Sequence, residues 1–276
     1  MPHAMRRSSA LLAHASITLV LLSAATAMAD EPSGGFPADP LAACNIVWDS
    51  PSKDSTGSLP LGNGDVALNV WAEPSGDLVF YIAKSDAWSG LGRLLKLGRV
   101  RVRCEPNPLA GSEASFQQTL RLREGRVETQ LGDGAGRITL NTWVDANRPV
   151  VFVEVESGEP ISLEASLELW RTPDTPLEEL QPLGLRSVAG GPIEPKVEPD
   201  TLVAGQDDRI VWYHRNGMSI WPTVMEYQAL AEVTQPEDDP LLHRVFGGCI
   251  EGPGLERSDD DTLRSTAPKQ RHVIAI

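Results

Sequence analysis

Asp65 and Asp86 are the carboxylates whose surroundings set them apart. Asp65 closes the run Gly62-Asn63-Gly64-Asp65, and Asp86 opens Asp86-Ala87-Trp88-Ser89-Gly90. Each falls where a strand pattern meets a turn, beside glycine or tryptophan. Two carboxylates about 5–9.5 Å apart in an open cleft can serve as acid and base, or acid and nucleophile, in glycoside hydrolysis. The chain holds 38 acidic residues, however, so the presence of a pair nominates nothing. The plainer expectation is that Asp65 caps a turn and Asp86 begins one. Asn63 and Trp88 complete the candidate loop set. Pyranose faces pack on aromatic rings, and of Trp71, Trp88, Trp143, Trp170, Trp212 and Trp221 only Trp88 lies beside a glycine-bounded loop. The other tryptophans are expected in the core or at interfaces.

Other chemistries find less support. Gly62-Asn63-Gly64-Asp65-Val66-Ala67 matches a dinucleotide fingerprint in form. That site needs a strand before it and a helix after it, so that the helix N-terminus meets the pyrophosphate. Here a proline-bounded polar segment precedes and a β-alternating segment follows. The glycines are therefore expected to permit a tight entry into a strand. A serine-hydrolase elbow reads G-x-S-x-G, and Gly217-Met218-Ser219-Ile220-Trp221 fails at its last position. His214, His243 and His272 have no metal-ligand spacing, and neither do Cys44, Cys104 and Cys249. No cofactor or metal is expected. For the cysteines, one disulfide plus a free thiol and three buried thiols both remain open.

The elements that must position these residues read as strands. Val66, Leu68 and Val70 alternate with Ala67, Asn69 and Trp71, and "AEPSGD" turns the chain into "LVFYIAK". That is a hairpin pattern. "QTLRLREGRVETQL" is a second hairpin with Glu124-Gly125 at its tip. "GDGAG" turns into "RITLNTWV", "PVVFVEVESGEP" follows, and then comes "ISLEASLELW". In that last strand Ile161, Leu163, Ala165, Leu167 and Leu169 face one way. Ser162, Glu164, Ser166 and Glu168 face the other, as for a sheet with one wet face. "PDTPLEELQPLGLRSVAGGPIEPKVEPD" is a connection; "DRIVWYHRN" and "LLHRVFGGCIEG" are later strands. "SIWPTVMEYQALAEV" can hold a short helix with Pro222 in its first turn. Many short strands without repeating helices predict an all-β fold, a large antiparallel β-sandwich of two packed sheets with at most one or two short helices. "GRLLKLGRVRVR" puts Arg99, Arg101 and Arg103 on one strand face. That face is either simply solvated or a docking surface for an acidic neighbour.

Residues 1–29 read as a signal peptide: Arg6 and Arg7, then an apolar run, then Ala27-Met28-Ala29 before Asp30. A membrane anchor is the competing reading, but the apolar part is short for the ~20 residues of a span. Secreted or periplasmic location follows, with no membrane attachment after cleavage. Residues 30–44 form a flexible leader and 45–276 the sandwich. The segment 1–29 carries two arginines and no acids, so its removal takes the formal charge from −14 to −16. Such a chain is repelled by nucleic acid and by anionic lipid. Its expected partners are neutral molecules or proteins. The segment "QRHVIAI" reads as the start of an apolar strand cut short, so the sandwich is expected to be truncated.

The segments "SLPLGNGDVALNVW", "LVFYIAKSDAWS", "LLKLGRVRV", "VWYHRN" and "FGGCIEG" together resemble a bacterial group known as domain of unknown function 5703, from about Ile46 onward. That group in turn resembles the N-terminal β-sandwich of family-95 glycoside hydrolases, the α-L-fucosidase family. There an early "PLGNG" turn opens a strand and a "W-S-G" segment ends its partner. Pro60 to Gly64 and Trp88 to Gly90 match here, while the acidic residue before "W-S-G" sits differently. The resemblance implies that catalysis belongs to a later (α/α)6 barrel, missing from this chain, so no catalytic residue carries over. The expected role is a secreted accessory domain, non-catalytic alone, with Asn63, Asp65, Asp86 and Trp88 facing the partner domain or a glycan. The alternatives are a stand-alone carbohydrate-binding module and a small hydrolase using Asp65 or Asp86.

Overall fold

A computed structural model describes residues 40–110, 114–173, 175–176 and 196–276. The expected signal peptide, most of the expected leader and most of the proline-rich connection lie outside the described residues. The strands are β1 (Ile46–Trp48), β2 (Leu59–Gly62), β3 (Val66–Ala72), β4 (Leu78–Trp88), β5 (Leu94–Glu105), β6 (Phe116–Arg121), β7 (Arg126–Leu131), β8 (Ile138–Val144) and β9 (Val151–Glu168). Then come β10 (Thr175–Pro176), β11 (Lys196–Val197), β12 (Thr201–Val203) and β13 (Arg209–Arg215). Helix α1 (Trp221–Tyr227) precedes β14 (Val245–Glu251), β15 (Leu255–Asp259), β16 (Thr262–Ser265) and β17 (Lys269–Ala275). Pro222 sits in the first turn of α1, where its missing N–H has no helical partner to lose.

Every strand pairing among the described residues is antiparallel. One layer runs β1-β6-β7-β8-β9-β17-β14-β13-β12, and the other runs β2-β3-β4-β5-β9-β16-β15. Their inner faces share one core, with Leu68, Phe80, Val100 and Leu163 from one layer and Val127, Leu140, Val153 and Ile250 from the other. The indole of Trp212 on β13 donates to the Leu97 carbonyl of β5 at 2.9 Å, a direct tie between layers.

Strand β9 belongs to both layers. The sequence pattern suggests two strands around "SGEP", whereas the structure has one strand that changes sheets. Its first half pairs with β8 and β17, and its second half pairs with β5 and β16. The change happens at Gly158-Glu159-Pro160. A Cβ on Gly158 would lie 2.3 Å from the Ala135 carbonyl oxygen, so only glycine allows that approach. Pro160 offers no N–H to a ladder. Beyond the corner the expected alternation holds: Ile161, Leu163, Ala165 and Leu167 are buried and the intervening residues are not.

The apolar terminal strand, β17, is paired with β9 along one side and on the other reaches a neighbour, β14, at one position, Ala275. The three cysteines are free: Cys44 exposed, Cys249 half-buried, Cys104 buried with its thiol pushed up to about 12 by burial.

The arginine face of β5 is occupied from within. Arg101 bonds Glu168 at 2.7 Å, Glu73 at 2.6 Å and Asp77 at 3.0 Å, and Arg103 bonds Asp77 and Glu164. Arg99 pairs with Glu168 directly across the sheet. These charges are neutralised by the chain's own carboxylates, which removes the reason to expect an acidic docking partner there. Burial works against ionisation of Glu168, but hydrogen bonds from Arg101 and Arg99 outweigh it and hold the carboxyl below its usual range. A depressed carboxylate stabilises the fold fully above its unfolded pKa of about 4.3 and loses that contribution as pH falls through the native value. Glu168→Gln should therefore flatten the decline of the urea midpoint between pH 5 and pH 3, measured by circular dichroism. An unchanged acid slope would show that Glu168 has no part in it.

Candidate functional site

The loop Gly62–Asp65 is the tight end of the β2–β3 hairpin. Gly64 adopts φ +93°, a conformation side chains disfavour. Asn63 closes the turn: its Oδ1 accepts from the Asp65 and Val66 N–H groups, each at 2.9 Å. Its Nδ2 donates to the Asp145 and Arg148 carbonyls at 2.8 and 3.0 Å, which fastens the hairpin to the β8–β9 loop. A phosphate cradle needs free N–H groups, and Asn63 has taken the ones in question. It is a bracket, and the form of a nucleotide fingerprint here has no function behind it.

Asp65 and Asp86 do come together, on a residue the sequence reading passed over. The Lys84 ammonium lies 2.9 Å from Asp65 Oδ1 and 2.8 Å from Asp86 Oδ1. Lys84 and Asp86 are two apart on β4 and so share a face, while Lys84 pairs across the ladder with Val66. The K-x-D spacing was the available signal. The Lys84 ammonium, with the Ser85 hydroxyl, holds the Asp65 carboxyl below its usual range. The same contacts, Asp86 first and Asp65 next, raise the Lys84 ammonium. A general acid needs a raised carboxyl pKa. Asp65 is moved the other way.

Trp88 turns its indole N–H inward to the Ser85 carbonyl at 3.0 Å, leaving the residue 38% exposed. Its own carbonyl accepts from Nδ2 of Asn216, a fully buried side chain that also donates to Leu241 at 2.8 Å. Arg244 donates to the Asp86 carbonyl at 2.8 Å, and Ile220 N–H to Gly90 O at 2.8 Å. The hairpin end at Asp86–Gly90 is thus clamped to the β13–α1 and β14 entry segments. Asn216 ends the "VWYHRN" segment that the sequence comparison marked without assigning it a task.

Behind this clamp lies a buried ionic plug. Asp200 receives Arg171 through both carboxylate oxygens, at 3.0 and 2.8 Å, and His214 Nδ1 lies 2.9 Å from its Oδ1. All three side chains are nearly fully buried. The His214 ring stacks on Phe246 at 5.1 Å. His272, also buried, bonds the Ile161 carbonyl. No cluster of histidine, cysteine and carboxylates suited to a metal ion occurs among the described residues.

Apolar surface collects on the segments joined by this clamp. Tyr227 of α1 is 87% exposed and Val233 after it 75%, and Leu94, Leu242 and Val245 are also exposed. A second aromatic group lies on the outer face of the β3–β4 layer. There Trp170 is 48% exposed and edge-on to Tyr81 at 5.9 Å, Tyr81 packs on Trp71, and Lys96 Nζ sits 3.8 Å over the Tyr81 ring. Trp170 and Trp48 are thus more exposed than Trp88, the tryptophan singled out by its glycine-bounded loop. Trp170 lies at the end of a regular strand, where no glycine marks it.

A family profile described as DUF5703_N, domain of unknown function (DUF5703), matches residues 47–273. No curated protein matches the chain.

Proposed function

This chain belongs to the DUF5703_N family, and from that premise we propose that it is a non-catalytic accessory β-sandwich that docks a partner domain of a carbohydrate-active enzyme. One observation carries the reading. The segments at the clamped end, 86–94, 220–233 and 241–245, expose large apolar side chains while their backbones are pinned by Asn216, Arg244 and Ile220. Rigid, exposed apolar surface is what a docking face needs, and single-domain proteins keep such patches small. The likeness to family-95 glycoside hydrolases proposed from the PLGNG and W-S-G segments names the partner: a glycan-cleaving (α/α)6 barrel. The reading includes export to a secreted or periplasmic location, with no membrane attachment afterwards.

Two tests follow. The isolated domain is expected to turn over no aryl α-L-fucoside or other aryl glycoside, because Lys84 ties the two candidate carboxylates together and holds Asp65 below the range a general acid needs. Activity that survives purification and vanishes in Asp65→Ala or Asp86→Ala would establish the small hydrolase instead. N-terminal sequencing of exported protein is expected to begin at or near Asp30, and retention of Met1 in a cytoplasmic product would end the export reading.

The Trp170–Tyr81 group favours a second reading, a carbohydrate-binding module. Affinity electrophoresis on neutral polysaccharides separates the two. Retardation lost in Trp170→Ala and kept in Trp88→Ala would promote the binding module, and no retardation leaves the docking domain.

A further inference from the structure

The edges of the two layers are protected in ways expected of natural sheets. Strands β1 and β12 have three residues each, β2 carries Pro60, and β15 has a register shift between Arg257 and Asp259. Strand β14 is different. It pairs with β13 over all seven residues, but on its other side it meets β17 at a single position, Glu251 opposite Ala275. Antiparallel ladders aim alternate residues to alternate sides. The contact at Glu251 therefore sends the N–H and C=O groups of Val245, Gly247 and Cys249 toward the β17 side. Among the described residues no backbone hydrogen bond reaches those groups. This stretch has no proline, lysine or bulge, and Val245 is exposed. Gly247 and Gly248 keep it slim: a Cβ on either would strike Trp212, at 2.1 Å from its carbonyl oxygen or 2.5 Å from its ring.

The geometry points to a strand-addition site: the open edge of β14 from Val245 to Ile250 takes an antiparallel strand lying in line with β17. Register identifies the occupant's course. The Glu251–Ala275 pair places the Ile276 position opposite Ile250, and Ile276 already packs against the core. A strand continuing on that line and in that direction meets Cys249, Gly247 and Val245 with its backbone. Its inward side chains fall opposite Ile250, Gly248 and Phe246, so they are apolar. A second copy of β14 fits poorly, because Ala275 and Ile276 already fill one end of the line. The edge starts beside Arg244, which holds Asp86, so it adjoins the clamped end. Resting on the docking reading above, the occupant is an extended strand of the partner with apolar residues at alternate positions.

Residue-resolved hydrogen exchange of the 276-residue chain tests the site. Amides of Val245, Gly247 and Cys249 are expected to exchange on the order of 100-fold faster than those of Phe246, Gly248 and Ile250. Appending Thr-Val-Thr-Val-Thr after Ile276 should slow the first set to the level of the second. An appended Pro-Val-Pro-Val-Pro should not, since its prolines fall at the positions that face β14 and cannot donate to the ladder. Protection of all six amides in the unextended chain would overturn the proposal, as would an appended Thr-Val strand that protects none. These outcomes are independent of glycosidase activity, so the docking reading and the strand site can fail separately.

Discussion

Asp200→Ala is expected to lower the unfolding free energy by about 3–5 kcal/mol, the range for removing one partner of a buried ion pair. The Arg171 guanidinium receives both of its carboxylate contacts from Asp200, and both side chains are almost wholly out of water. Deleting the carboxylate leaves that cation with no counter-charge at this contact and removes the oxygen that orients His214. The wild-type plug is a weaker claim to stability than its geometry suggests, because desolvating the ions offsets much of their attraction. A triple replacement, Arg171→Met with Asp200→Leu and His214→Phe, should therefore recover most of the loss. Urea unfolding followed by tryptophan fluorescence measures both. A loss below about 1 kcal/mol for Asp200→Ala would mean that water reaches the plug and screens it.

Gly90→Ala is expected to cost about 2–3 kcal/mol, at the upper end for overpacking. The added Cβ would stand 2.0 Å from the Met218 carbonyl oxygen, which is backbone and cannot rotate away. The Gly90 loop must retreat, which breaks the Ile220 N–H bond to Gly90 and strains the Asn216 bond to Trp88. Gly125→Ala is the comparison. Gly125 has φ +61° but nothing within 4 Å of its Cβ position, so only left-handed strain of about 1–2 kcal/mol applies. Unfolding midpoints decide it. Equal costs at the two positions would show that the loop at Gly90 yields freely, and that the clamp on Trp88 is loose.

Local alternation was enough to place most of the longer strands, their buried faces and the hairpin tips. Alternation such as Ile161-Leu163-Ala165-Leu167 is a local property, since successive side chains of a strand point to opposite faces. Gly64, Gly76 and Gly125 mark turns because each adopts a positive φ. The family segments around Pro60–Gly64, Trp88–Gly90 and 211–216 were also legible, and so was the end of the molecule where the first two meet. Tertiary structure alone decided what those residues do. Lys84 stands between Asp65 and Asp86 because of cross-strand register, which no single strand encodes. Asp200 meets Arg171 and His214 across a long excursion of chain, and Asn216 reaches Trp88 across 128 positions of sequence. Strand β9 crosses from one layer to the other because Gly158 can press against Ala135, a contact invisible in periodicity. The open side of β14 follows from where β17 lies down beside β9. Pairing of distant strands is fixed by the closure of the whole chain around one core, whereas alternation needs only the neighbouring residue.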